Sequence, residues 1–596
     1  MFNPPNVKNA KQIVYDVETN GVDWKKNYTI GHVITLGPSQ EDSFYFPTRH
    51  GGGGNLDHDQ VVNWIKKEIA SRDDIKIIGH NLKFDLHMSR NDGIEFKSRD
   101  LECTMINSAI IDENARSYSL EYQALNNKVE AKKGEDMYKH LASLFGGEPT
   151  KKQMENFWRT SGQDPMVVAY AIGDGVSTWQ LREKQQEIVK FEELERIHRL
   201  ECQVLRTLFR MERNGIKVDE NQLHKFRVFM LNEIDKCSQA LPKDFNPRSP
   251  KQMQELMRKN GITNFEKTEK GNITFNEKWL KQHEIGRKVV SYRKTTHLIN
   301  SFVTPLIDKH LYKGRVHTNF NQMKADEYGV VSGRLSSSLP NMQQVPKRDK
   351  VYAPLFRSCF VPDDGQIWSS NDYSQQEYVM FACYTKPPKI YEGYLADPPI
   401  DIHQSVAEMF SVERDPTAKR LNLGKLYGMG VPSLADSLEV NIETARELSR
   451  IYDLMVPEAK RFMKSAEKKA KIRGFVKSIM GRRRRFPDIR FAHKAGNQII
   501  QMSCADVTKQ KMVEVDNYFE DKCNDECSLL LQIHDDLNWT HPDTEEGRMM
   551  DSEARRIMSS FGEHDVVDLP LPMRVDNGSG KNWGTASFKI GDIKIG

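Results

Sequence analysis

The segment IWSSNDYSQQEYVMFACY (residues 367–384) changes its pattern at Asp372, and this change decides the fold of the C-terminal half. The apolar run before Asp372 is typical of a strand, and the residues after it have a helical spacing. A second segment, LLLQIHDDLNWTHP (residues 529–542), joins two apolar stretches through HDD, which predicts a hairpin with carboxylates at its tip. Mg²⁺ prefers oxygen ligands and is commonly held by one or two carboxylates together with substrate phosphates. Two strands that each supply one carboxylate therefore predict a two-metal site for nucleotidyl transfer at Asp372 and Asp535.

Length and composition exclude several classes of protein. A chain of 596 residues exceeds the roughly 250 to 300 residues at which a single core stops growing, so several domains are expected. The N-terminal sequence MFNPPNVKNAKQ has no apolar secretion segment, and no run reaches the roughly 18 apolar residues that a membrane span needs. We therefore expect no membrane association and a cytoplasmic location. The eight scattered cysteines indicate reduced thiols and no zinc site.

The net charge of +4 conceals an uneven distribution of charge. Lys and Arg exceed Asp and Glu over residues 401–500, whereas Asp and Glu exceed Lys and Arg over residues 515–570. A basic surface beside an acidic one suits an enzyme that binds a polyanion and concentrates metal ions. The alternative is that both regions are solvated helix faces of unequal charge.

The periodicity of apolar residues divides the chain into five regions. Residues 1–190 alternate strand-like and helix-like runs, which predicts an α/β layer, and residues 191–310 are mostly helical. Residues 311–400 are mixed, residues 401–500 are helical and basic, and residues 501–596 combine helix with the acidic hairpin. Because the two carboxylate strands flank the basic helical block, the catalytic sheet must be built from distant segments with the helices inserted between them. The expected fold class is α/β and α+β in several domains.

A separate group of acidic residues lies in the first region. In QIVYDVETNG, Asp16 and Glu18 stand two apart on a strand and project from one face. In GHNLKFDLHM, Asp85 lies just inside a helix, and in YAIGD, Tyr170 and Asp174 share one helical face. Four carboxylates and a phenol could therefore converge to hold two divalent ions and to orient a water for attack on a phosphodiester. Taken one at a time, these acidic and Tyr/Asp pairs are equally typical of surface residues.

The ordered series DxE, NxxxD and YxxxD resembles the proofreading 3′-to-5′ exonuclease domains of DNA polymerases over most of residues 10–185. The resemblance implies an RNase H-like fold for residues 1–190 and single-stranded DNA as the substrate there. It also implies two Mg²⁺ ions, or Mn²⁺ in their place, and a tyrosine that positions the attacking water. The metal ligands that it implies are Asp16, Glu18, Asp85 and Asp174, and the tyrosine is Tyr170.

The rest of the chain, from Glu201 to Phe588, is similar to family A DNA polymerases, the group of bacterial polymerase I and many phage replicases. The segments that carry the similarity are LFRMERNGIKVD, FNPRSPKQMQELM, GVVSGRLSSSLPNMQQVP, DYSQQEY, TAKRLNLGKLYGMG, HKAGNQIIQMSCAD and LLLQIHDDL. The domains that it implies are a thumb at residues 191–310, a palm at residues 311–400 and 501–596, and fingers at residues 401–500 of a right-hand polymerase. In such a polymerase, Asp372 and Asp535 would hold two Mg²⁺ ions, and Asp536 would be a third catalytic carboxylate.

The predicted fingers helix carries residues suited to bind a nucleotide. Lys419, Leu423 and Tyr427 recur at four-residue spacing, so one helix face has a cation at one end and an aromatic ring at the other. The similarity implies that Lys419 and His403 contact the triphosphate and that Tyr427 stacks near the template base. From spacing alone, Lys419 is equally a solvated cation and Tyr427 a core aromatic.

Further residues take their roles from the similarity alone. Glu377 matches the position that excludes a ribose 2′-hydroxyl, which favours deoxynucleotides, and Gln375 is assigned to the same nucleotide site. The residues implied to contact primer or template DNA are Arg334, Asn341, Gln344, Asn497, Gln501, Gln532 and His534. The run Arg482 to Arg485 suits phosphate binding, and a solvated basic loop explains it nearly as well.

Four positions depart from the family pattern. Val379 stands where an arginine is usual, Leu423 where an aromatic residue is usual, and Asp536 where the second acid of the hairpin is usually a glutamate. Asp415 replaces an arginine expected before the fingers helix. Arg414 is expected to contact the nucleotide in its place if the helix begins after Asp415.

These patterns predict a template-directed DNA polymerase with proofreading that uses primer-template DNA and dNTPs. The chain begins at the exonuclease region and has a compact thumb, which favours a monomeric replicase in phage DNA replication, with replisome partners that the sequence does not specify. Two alternatives remain open: a 3′-to-5′ exonuclease with a degenerate polymerase half, and a noncatalytic DNA-binding scaffold. The departures at the arginine and glutamate positions motivate the first alternative.

Overall fold

The structure, a computed structural model, describes residues 2–130, 134–268, 271–323, 330–561 and 569–591. The strands of the N-terminal region are β1 (Gln12–Thr19), β2 (Thr29–Thr35), β3 (Ser43–Pro47), β4 (Lys76–Gly79) and β5 (Leu101–Cys103). Its helices are α1 (His58–Ile65), α2 (Leu82–Asn91), α3 (Thr104–Ile111), α4 (Leu120–Asn126), α5 (Gly134–Phe145) and α6 (Pro165–Phe191). The order and spacing of these elements agree with the predicted α/β layer.

One five-stranded sheet organises this region, with strand order β3-β2-β1-β4-β5. β1 runs antiparallel to β2 and parallel to β4. Helices cover both faces of β1, because Tyr15 bonds Ser89 of α2 on one face and Val14 packs with Trp179 of α6 on the other. Alternate residues of β1 therefore face different helices, and the acidic residues share the face that α6 covers.

The next region, up to Arg357, is mainly helical to about residue 310, as its periodicity predicted, and mixed after that. Its helices are α7 (Glu195–Asn214), α8 (Glu220–Ser238), α9 (Pro250–Lys259), α10 (Glu277–Lys281), α11 (Glu284–Leu298) and α12 (Tyr352–Arg357). Its short strands are β6 (Ile216–Lys217), β7 (Leu311–Tyr312), β8 (Arg315–Val316), β9 (Asn319–Asn321) and β10 (Ser336–Ser338). The helices α9, α10 and α11 share a small apolar core around Met257, Leu280 and Val289.

The remaining strands are β11 (Gln366–Tyr373), β12 (Phe475–Lys477), β13 (Arg483–Arg485), β14 (Ser528–Ile533), β15 (Asp536–Pro542) and β16 (Val575–Gly580). The helices between β11 and β14 are α13 (Gln376–Thr385), α14 (Pro388–Leu395), α15 (Ile402–Phe410), α16 (Lys419–Leu426), α17 (Val431–Leu438), α18 (Ile442–Met455), α19 (Pro457–Arg473) and α20 (Ala495–Lys522). The last two helices are α21 (Glu545–Ser559) and α22 (Trp583–Phe588).

A four-stranded antiparallel sheet, here called the C-terminal sheet, has the order β14-β15-β11-β16. One of its two central strands, β11, is separated in sequence from the other three strands by the helices α13 to α20, so the predicted discontinuous sheet is confirmed. The predicted hairpin is also confirmed, because β14 pairs with β15. Trp368 of β11 and Trp539 of β15 are fully buried and anchor the sheet in the core.

The arginine run from Arg482 to Arg485 is neither a phosphate-binding loop nor a solvated one. Arg484 Nη1 lies 3.1 Å from Glu113 Oε1, and Arg485 Nη1 lies 2.9 Å from Glu113 Oε2. The remaining partners are Glu192 for Arg483, and Asp506 together with Glu201 for Arg482. Both readings of the sequence were wrong because the acids that neutralise this run come from distant segments, which local spacing does not reveal.

Two exclusions made from the sequence have structural counterparts. Among the helices of the described residues, none is both long and apolar enough to cross a bilayer. All eight cysteines are free thiols, and most of them are buried, as expected for reduced residues that pack like small apolar side chains.

Candidate active sites

The acids of the C-terminal sheet gather at one end of it. β11 and β15 pair Asp372 directly with Asp536, and Asp535 lies in the turn just before β15. The backbone amide of Tyr373 donates to the Asp535 carbonyl over 3.3 Å. His534 takes the left-handed conformation, with φ of 61°, where the chain reverses. The end of β11 and the tip of the hairpin thus bring the two predicted metal ligands together.

Electrostatic repulsion acts among these carboxylates. Burial, followed by the charge of Asp372, raises the pKa of Asp535 to about 7. The same two causes, in the same order, raise the pKa of Asp536 to about 6. Asp372 Oδ1 is buried and finds no hydrogen-bond donor among the described residues. Oxygen ligands that repel one another and include an unsatisfied atom fit a divalent cation.

Asp536 differs from the other two acids because its carboxylate is bonded inside the sheet. It accepts from Ser370 Oγ at 3.1 Å, from the Asn371 backbone amide at 3.2 Å and from Asn538 Nδ2 at 2.9 Å. These donors lie on β11 and β15 and hold the carboxylate between the two strands. The carboxylate of Asp536, which was predicted to be catalytic, therefore links β11 to β15 beside the pair Asp372 and Asp535.

Two charged residues beside Asp372 were missed by the sequence analysis. Lys347 Nζ lies 3.6 Å from Asp372 Oδ2. Asp576 of β16 pairs with Asp372 on the side of β11 opposite to Asp536, so three aspartates share one cross-strand row. No local signal could have found them, because β16 reads VDNGSG, without apolar alternation, and Lys347 lies in a loop.

Three predicted residues from separate segments meet at Glu377. The Tyr427 hydroxyl donates a short hydrogen bond to Glu377 Oε2, and Arg334 Nη2 donates to Glu377 Oε1 at 2.6 Å. Burial, followed by the charge of Glu377, raises the pKa of Tyr427 well above its usual range. Tyr427, which is expected to stack near the template base, is thus hydrogen-bonded to Glu377, which is expected to contact the sugar. Arg334, an expected DNA contact, binds the same carboxylate.

A second group lies around the start of α15. Asp401 caps this helix by accepting from the His403 amide at 2.9 Å, and it also accepts from Arg414 Nε at 2.9 Å. His403 is buried, and its Nδ1 lies 2.9 Å from Asn422 Nδ2 of α16. Burial is the main cause that lowers the pKa of His403 to about 4, and the charge of Lys419 lowers it further. His403, Arg414 and Lys419 therefore lie in one neighbourhood, as their predicted shared role requires.

A π-helical turn, Arg414–Ala418, leads into α16. Asp415 has an extended conformation, with φ of −119° and ψ of 126°, so helical geometry starts only after it. Lys419 is exposed at the first position of α16, Leu423 is half-buried, and Tyr427 follows the last helical residue. The condition under which Arg414 could replace the missing arginine is therefore met.

Gln375, which was assigned to the nucleotide site, makes hydrogen bonds within the protein. It takes the left-handed conformation, with φ of 55°, immediately before α13. Its Oε1 accepts from the Tyr394 hydroxyl and from the Ile402 amide, both at 3.3 Å. These bonds join the end of β11 to the start of α15, which carries His403.

The residues expected to contact DNA have different surroundings. Asn341 Oδ1 accepts from the backbone amide of Gln344, whose side chain is exposed. Asn497 and Gln501 lie one turn apart near the start of α20, and both are half-buried. Gln344 and Gln501 thus stand on exposed or half-exposed surface, where a DNA strand could reach them.

Gln532 is an exception because it is buried. Gln343 Nε2 donates to Gln532 Oε1 at 3.0 Å, and Gln532 Nε2 donates a short bond to the carbonyl of His534. The expected contact of Gln532 with the primer end would have to replace these bonds.

The N-terminal acids form a cluster of their own. Ligand atoms of Asp16, Glu18 and Asp174 all lie within 4.8 Å of one another, which suits a shared divalent cation. β1 supplies the first two residues and α6 supplies the third. Tyr170 lies one helical turn before Asp174 on α6 and is buried.

Asp85 of α2 stands beside this cluster. Its Oδ1 accepts from the Val17 amide at 3.4 Å, whereas its Oδ2 is buried and has no hydrogen-bond donor among the described residues. Burial, followed by the charge of Asp16, raises the pKa of Asp85 well above its usual value. A buried acid held near two others again fits a cation.

A cavity of about 570 Å³ opens next to the start of α2. Asn81 and Lys83 of the exonuclease region and Phe320 and Gln322 of the other half line it. Because α2 also carries Asp85, this cavity lies between the two halves of the chain on the same element that builds the acid cluster.

Comparisons with known proteins identify the families that the two parts of the chain match. Residues 220–585 match DNA polymerase family A, and residues 5–190 match the 3′-5′ exonuclease family. A DNA polymerase DpoZ from Salmonella phage PMBT28 is 30% identical, covering 98% of this chain and 98% of that protein. DNA polymerase I from Borreliella burgdorferi is 28% identical over 97% of this chain and 63% of its own length.

A solved structure shares the fold. The POL domain of Pol1 from M. smegmatis, in complex with DNA primer-template and dNTP, superposes with a TM-score of 0.77 and 22% sequence identity. The match covers 97% of this chain and 97% of that one.

Paired acids at the end of one sheet, with a second acid cluster in an α/β domain, are typical of one class of protein: nucleotidyltransferases that carry their own nuclease. The chain belongs to DNA polymerase family A. It is a DNA polymerase whose N-terminal part is a 3′-5′ exonuclease domain.

Proposed function

We propose that the C-terminal sheet joins deoxynucleotides to a primer 3′-hydroxyl and that Asp372 and Asp535 hold two Mg²⁺ ions, or Mn²⁺, for this reaction. Family A polymerases and their exonuclease domains generally use divalent metals. The observation that carries the proposal is the gathering of Asp372 and Asp535 at one sheet end, where burial and the charge of Asp372 raise the pKa of Asp535 to about 7. When bound, such ions stabilise the attacking hydroxyl and the leaving pyrophosphate.

The protein residues around the sheet would bind and orient the nucleotide. Lys419, His403 and Arg414 would contact the triphosphate, since they lie in one neighbourhood on α15 and α16. The pair Glu377 and Tyr427 would form a wall against C2′ of the sugar, which leaves no space for a ribose hydroxyl. Two side chains that are hydrogen-bonded to each other form a better steric barrier than a single free side chain, because neither can rotate away.

The same proposal assigns the DNA contacts and the regions of the chain. The residues that would touch primer or template are Arg334, Asn341, Gln344, Asn497, Gln501, Gln532 and His534. The boundaries would be those of the sequence analysis, with the exonuclease at residues 1–190 and the thumb, palm and fingers after it. The protein would act as a monomer in phage DNA replication in the host cytoplasm. The likeness to phage DNA polymerases over nearly the whole chain supports the role in phage replication.

The N-terminal cluster would remove misincorporated nucleotides from a single-stranded 3′ end. Asp16, Glu18, Asp85 and Asp174 would hold two divalent ions, and Tyr170 would orient the attacking water. Discrimination at insertion is limited to a few kcal/mol, so higher accuracy needs a second hydrolytic site. The cavity beside α2 would take part of the single strand, since it borders the element that carries Asp85.

Extension and trimming of a labelled primer test this function. The wild type would extend with dNTPs and much less with rNTPs, Asp372→Ala would lose extension by at least about 1,000-fold, and Asp16→Ala would lose trimming but keep extension. Wild-type protein that trims single strands without extending primers would favour a nuclease with a degenerate polymerase half. Wild-type protein without either activity would favour a DNA-binding scaffold.

A further inference from the structure

Tyr45 shares a cross-strand row with Asp16. β1 and β2 pair Asp16 with Val33, and β2 and β3 pair Val33 with Tyr45, so the three side chains lie on one face of the sheet. In the next row, Gly31 is the residue opposite Glu18. A Cβ at Gly31 would clash with the ring and hydroxyl of Tyr45. The phenol of Tyr45 therefore lies over Gly31, next to the position of Glu18.

His50 holds this phenol in place. The Tyr45 hydroxyl lies 2.5 Å from His50 Nε2, and His50 Nδ1 lies 3.5 Å from Thr160 Oγ1. Burial lowers the pKa of His50 to about 4, so the ring is neutral near pH 7. With its own proton on Nδ1 toward Thr160, the ring accepts a hydrogen bond from the Tyr45 hydroxyl at Nε2. The phenol oxygen thus keeps its lone pairs available.

Aromatic contacts connect this pair with the predicted water-positioning tyrosine. The ring centroids of His50 and Phe157 are 5.9 Å apart, and those of Phe157 and Tyr170 are 5.5 Å apart. Tyr45 and Tyr170 therefore belong to one packed wall on the face of the sheet that carries the acids. Burial, followed by the charge of Glu18 and then that of Asp16, raises the pKa of Tyr45, which agrees with its place beside both carboxylates.

We propose that Tyr45, held by His50, is a positioning residue of the exonuclease site that fixes the Glu18 carboxylate for metal binding. The ring fills the space over Gly31 and so restricts the rotamers of Glu18, and the bond to His50 keeps the ring from moving away. This inference rests on the proposed exonuclease function of the acid cluster. Supporting residues of this kind change metal affinity or activity by about 10- to 100-fold when they are replaced.

The test compares full-length Tyr45→Phe with the wild type in two measurements. The first is Mn²⁺ binding without DNA, followed by electron paramagnetic resonance, with Asp372→Ala in both proteins so that the polymerase site contributes little. The second is the single-turnover rate of trimming a labelled single strand across a Mg²⁺ series. We expect Mn²⁺ binding to weaken by about 10-fold and the Mg²⁺ midpoint to rise by a similar factor, with primer extension unchanged.

Tyr28→Phe is the matched control, because Tyr28 belongs to the same domain and packs against the same apolar cluster as Tyr45, and the guanidinium of Arg49 lies over its ring. It should leave Mn²⁺ binding and the Mg²⁺ midpoint as in the wild type. If Tyr45→Phe does not fold, His50→Ala replaces it, and the same shift is expected, since His50→Ala removes the acceptor that holds the ring. A second variant, His50→Gln, keeps an acceptor and should recover part of the loss.

Two results would overturn the inference. One is a Tyr45→Phe protein with wild-type metal binding and a wild-type Mg²⁺ midpoint. The other is weaker binding of the oligonucleotide at unchanged Mn²⁺ affinity, which would make Tyr45 a substrate contact. Asp16→Ala separates this failure from that of the proposed function. Full trimming by Asp16→Ala would refute the exonuclease assignment itself, whereas an inactive Asp16→Ala beside a normal Tyr45→Phe would refute only the positioning role.

Discussion

At the scale of single residues, neighbouring carboxylates of the C-terminal sheet have different surroundings. The pKa of both Asp535 and Asp536 is raised, but Asp535 stands at the hairpin tip, whereas Asp536 accepts hydrogen bonds from Ser370, Asn371 and Asn538. The family pattern has a glutamate at position 536. The shorter aspartate places its carboxylate near the backbone of the adjacent strand, where these donors lie. We therefore expect Asp535 to bind the metal and Asp536 to stabilise the contact between the two strands.

The paired variants Asp535→Asn and Asp536→Asn separate these two roles. Asp535→Asn should reduce the primer-extension rate by at least about 1,000-fold, because it removes a charged metal ligand. Asp536→Asn should cost only about 10-fold, since the amide keeps the size of the side chain and one acceptor oxygen. Single-nucleotide incorporation by rapid quench measures both rates. Equal losses in the two variants would show that Asp536 also holds the metal directly.

The raised pKa of Asp535 predicts a pH dependence of metal binding. A carboxyl with a pKa of about 7 is mostly protonated at pH 5.5, and a proton must leave before a cation binds. Mn²⁺ affinity at this site should therefore rise as the pH increases through about 7 and then level off. Mn²⁺ titrations of the Asp16→Ala protein at several pH values measure this. Asp535→Asn is the control, and a flat profile in the parent protein would contradict the prediction.

At the scale of elements, the short hairpin of β12 and β13 connects the two halves of the chain. Its arginines Arg484 and Arg485 both pair with Glu113, which follows α3 in the exonuclease region. The Glu113 side chain is only 9% exposed, so its charge is largely removed from water. Removing one partner from a buried ion pair leaves the other charges uncompensated, which costs more than the pair itself contributes.

Glu113→Ala should lower the thermal midpoint of the protein by several degrees, as expected for a loss of about 3 kcal/mol. Glu447→Ala is the matched control, because Glu447 also pairs with an arginine, Arg450, and these side chains are 56% and 60% exposed. An exposed pair contributes less than about 1 kcal/mol, so the control should melt as the wild type does. Differential scanning calorimetry checks both variants. Equal melting of Glu113→Ala and the wild type would show that the hairpin does not stabilise the junction.

At the scale of the whole molecule, one buried glutamate connects the polymerase half to the exonuclease acids. Glu212 of α7 accepts from Lys83 Nζ at 2.6 Å and from His87 Nε2 at 2.8 Å. Lys83 and His87 stand one turn apart on α2, and Asp85 lies between them in sequence. Because residues two apart on a helix face different directions, Asp85 reaches the acid cluster while its neighbours bind α7. The position of α2, and so that of Asp85, depends on the polymerase half.

Glu212→Ala should therefore lower the rate of single-strand trimming by about 10-fold and leave primer extension within about 2-fold of the wild type. Glu220→Ala is the matched control, since Glu220 is exposed at the start of α8. Both activities are measured on one preparation, so that a general loss of folded protein is recognised. An equal loss of trimming and extension would indicate that Glu212 supports the fold as a whole.

The sequence by itself determined what depends on local order. The strand ending near Asp372, the hairpin at Asp535, the helix that begins after Asp415 and the acidic pair on β1 follow from periodicity and from turn residues, because these are set by neighbours along the chain. The discontinuous sheet also followed, since two strands on either side of a helical block have few ways to meet.

Tertiary structure alone decided the contacts between distant segments. It placed the arginine run against Glu113 and Glu192, bonded Asp536 into the sheet, set Asp576 beside Asp372 and laid Tyr45 over Gly31. The physical reason is that charge compensation and packing depend on distance in space, which a one-residue change of register or a small shift of a helix would alter. The sequence shows which groups are available for such contacts, and the tertiary structure determines which of them meet.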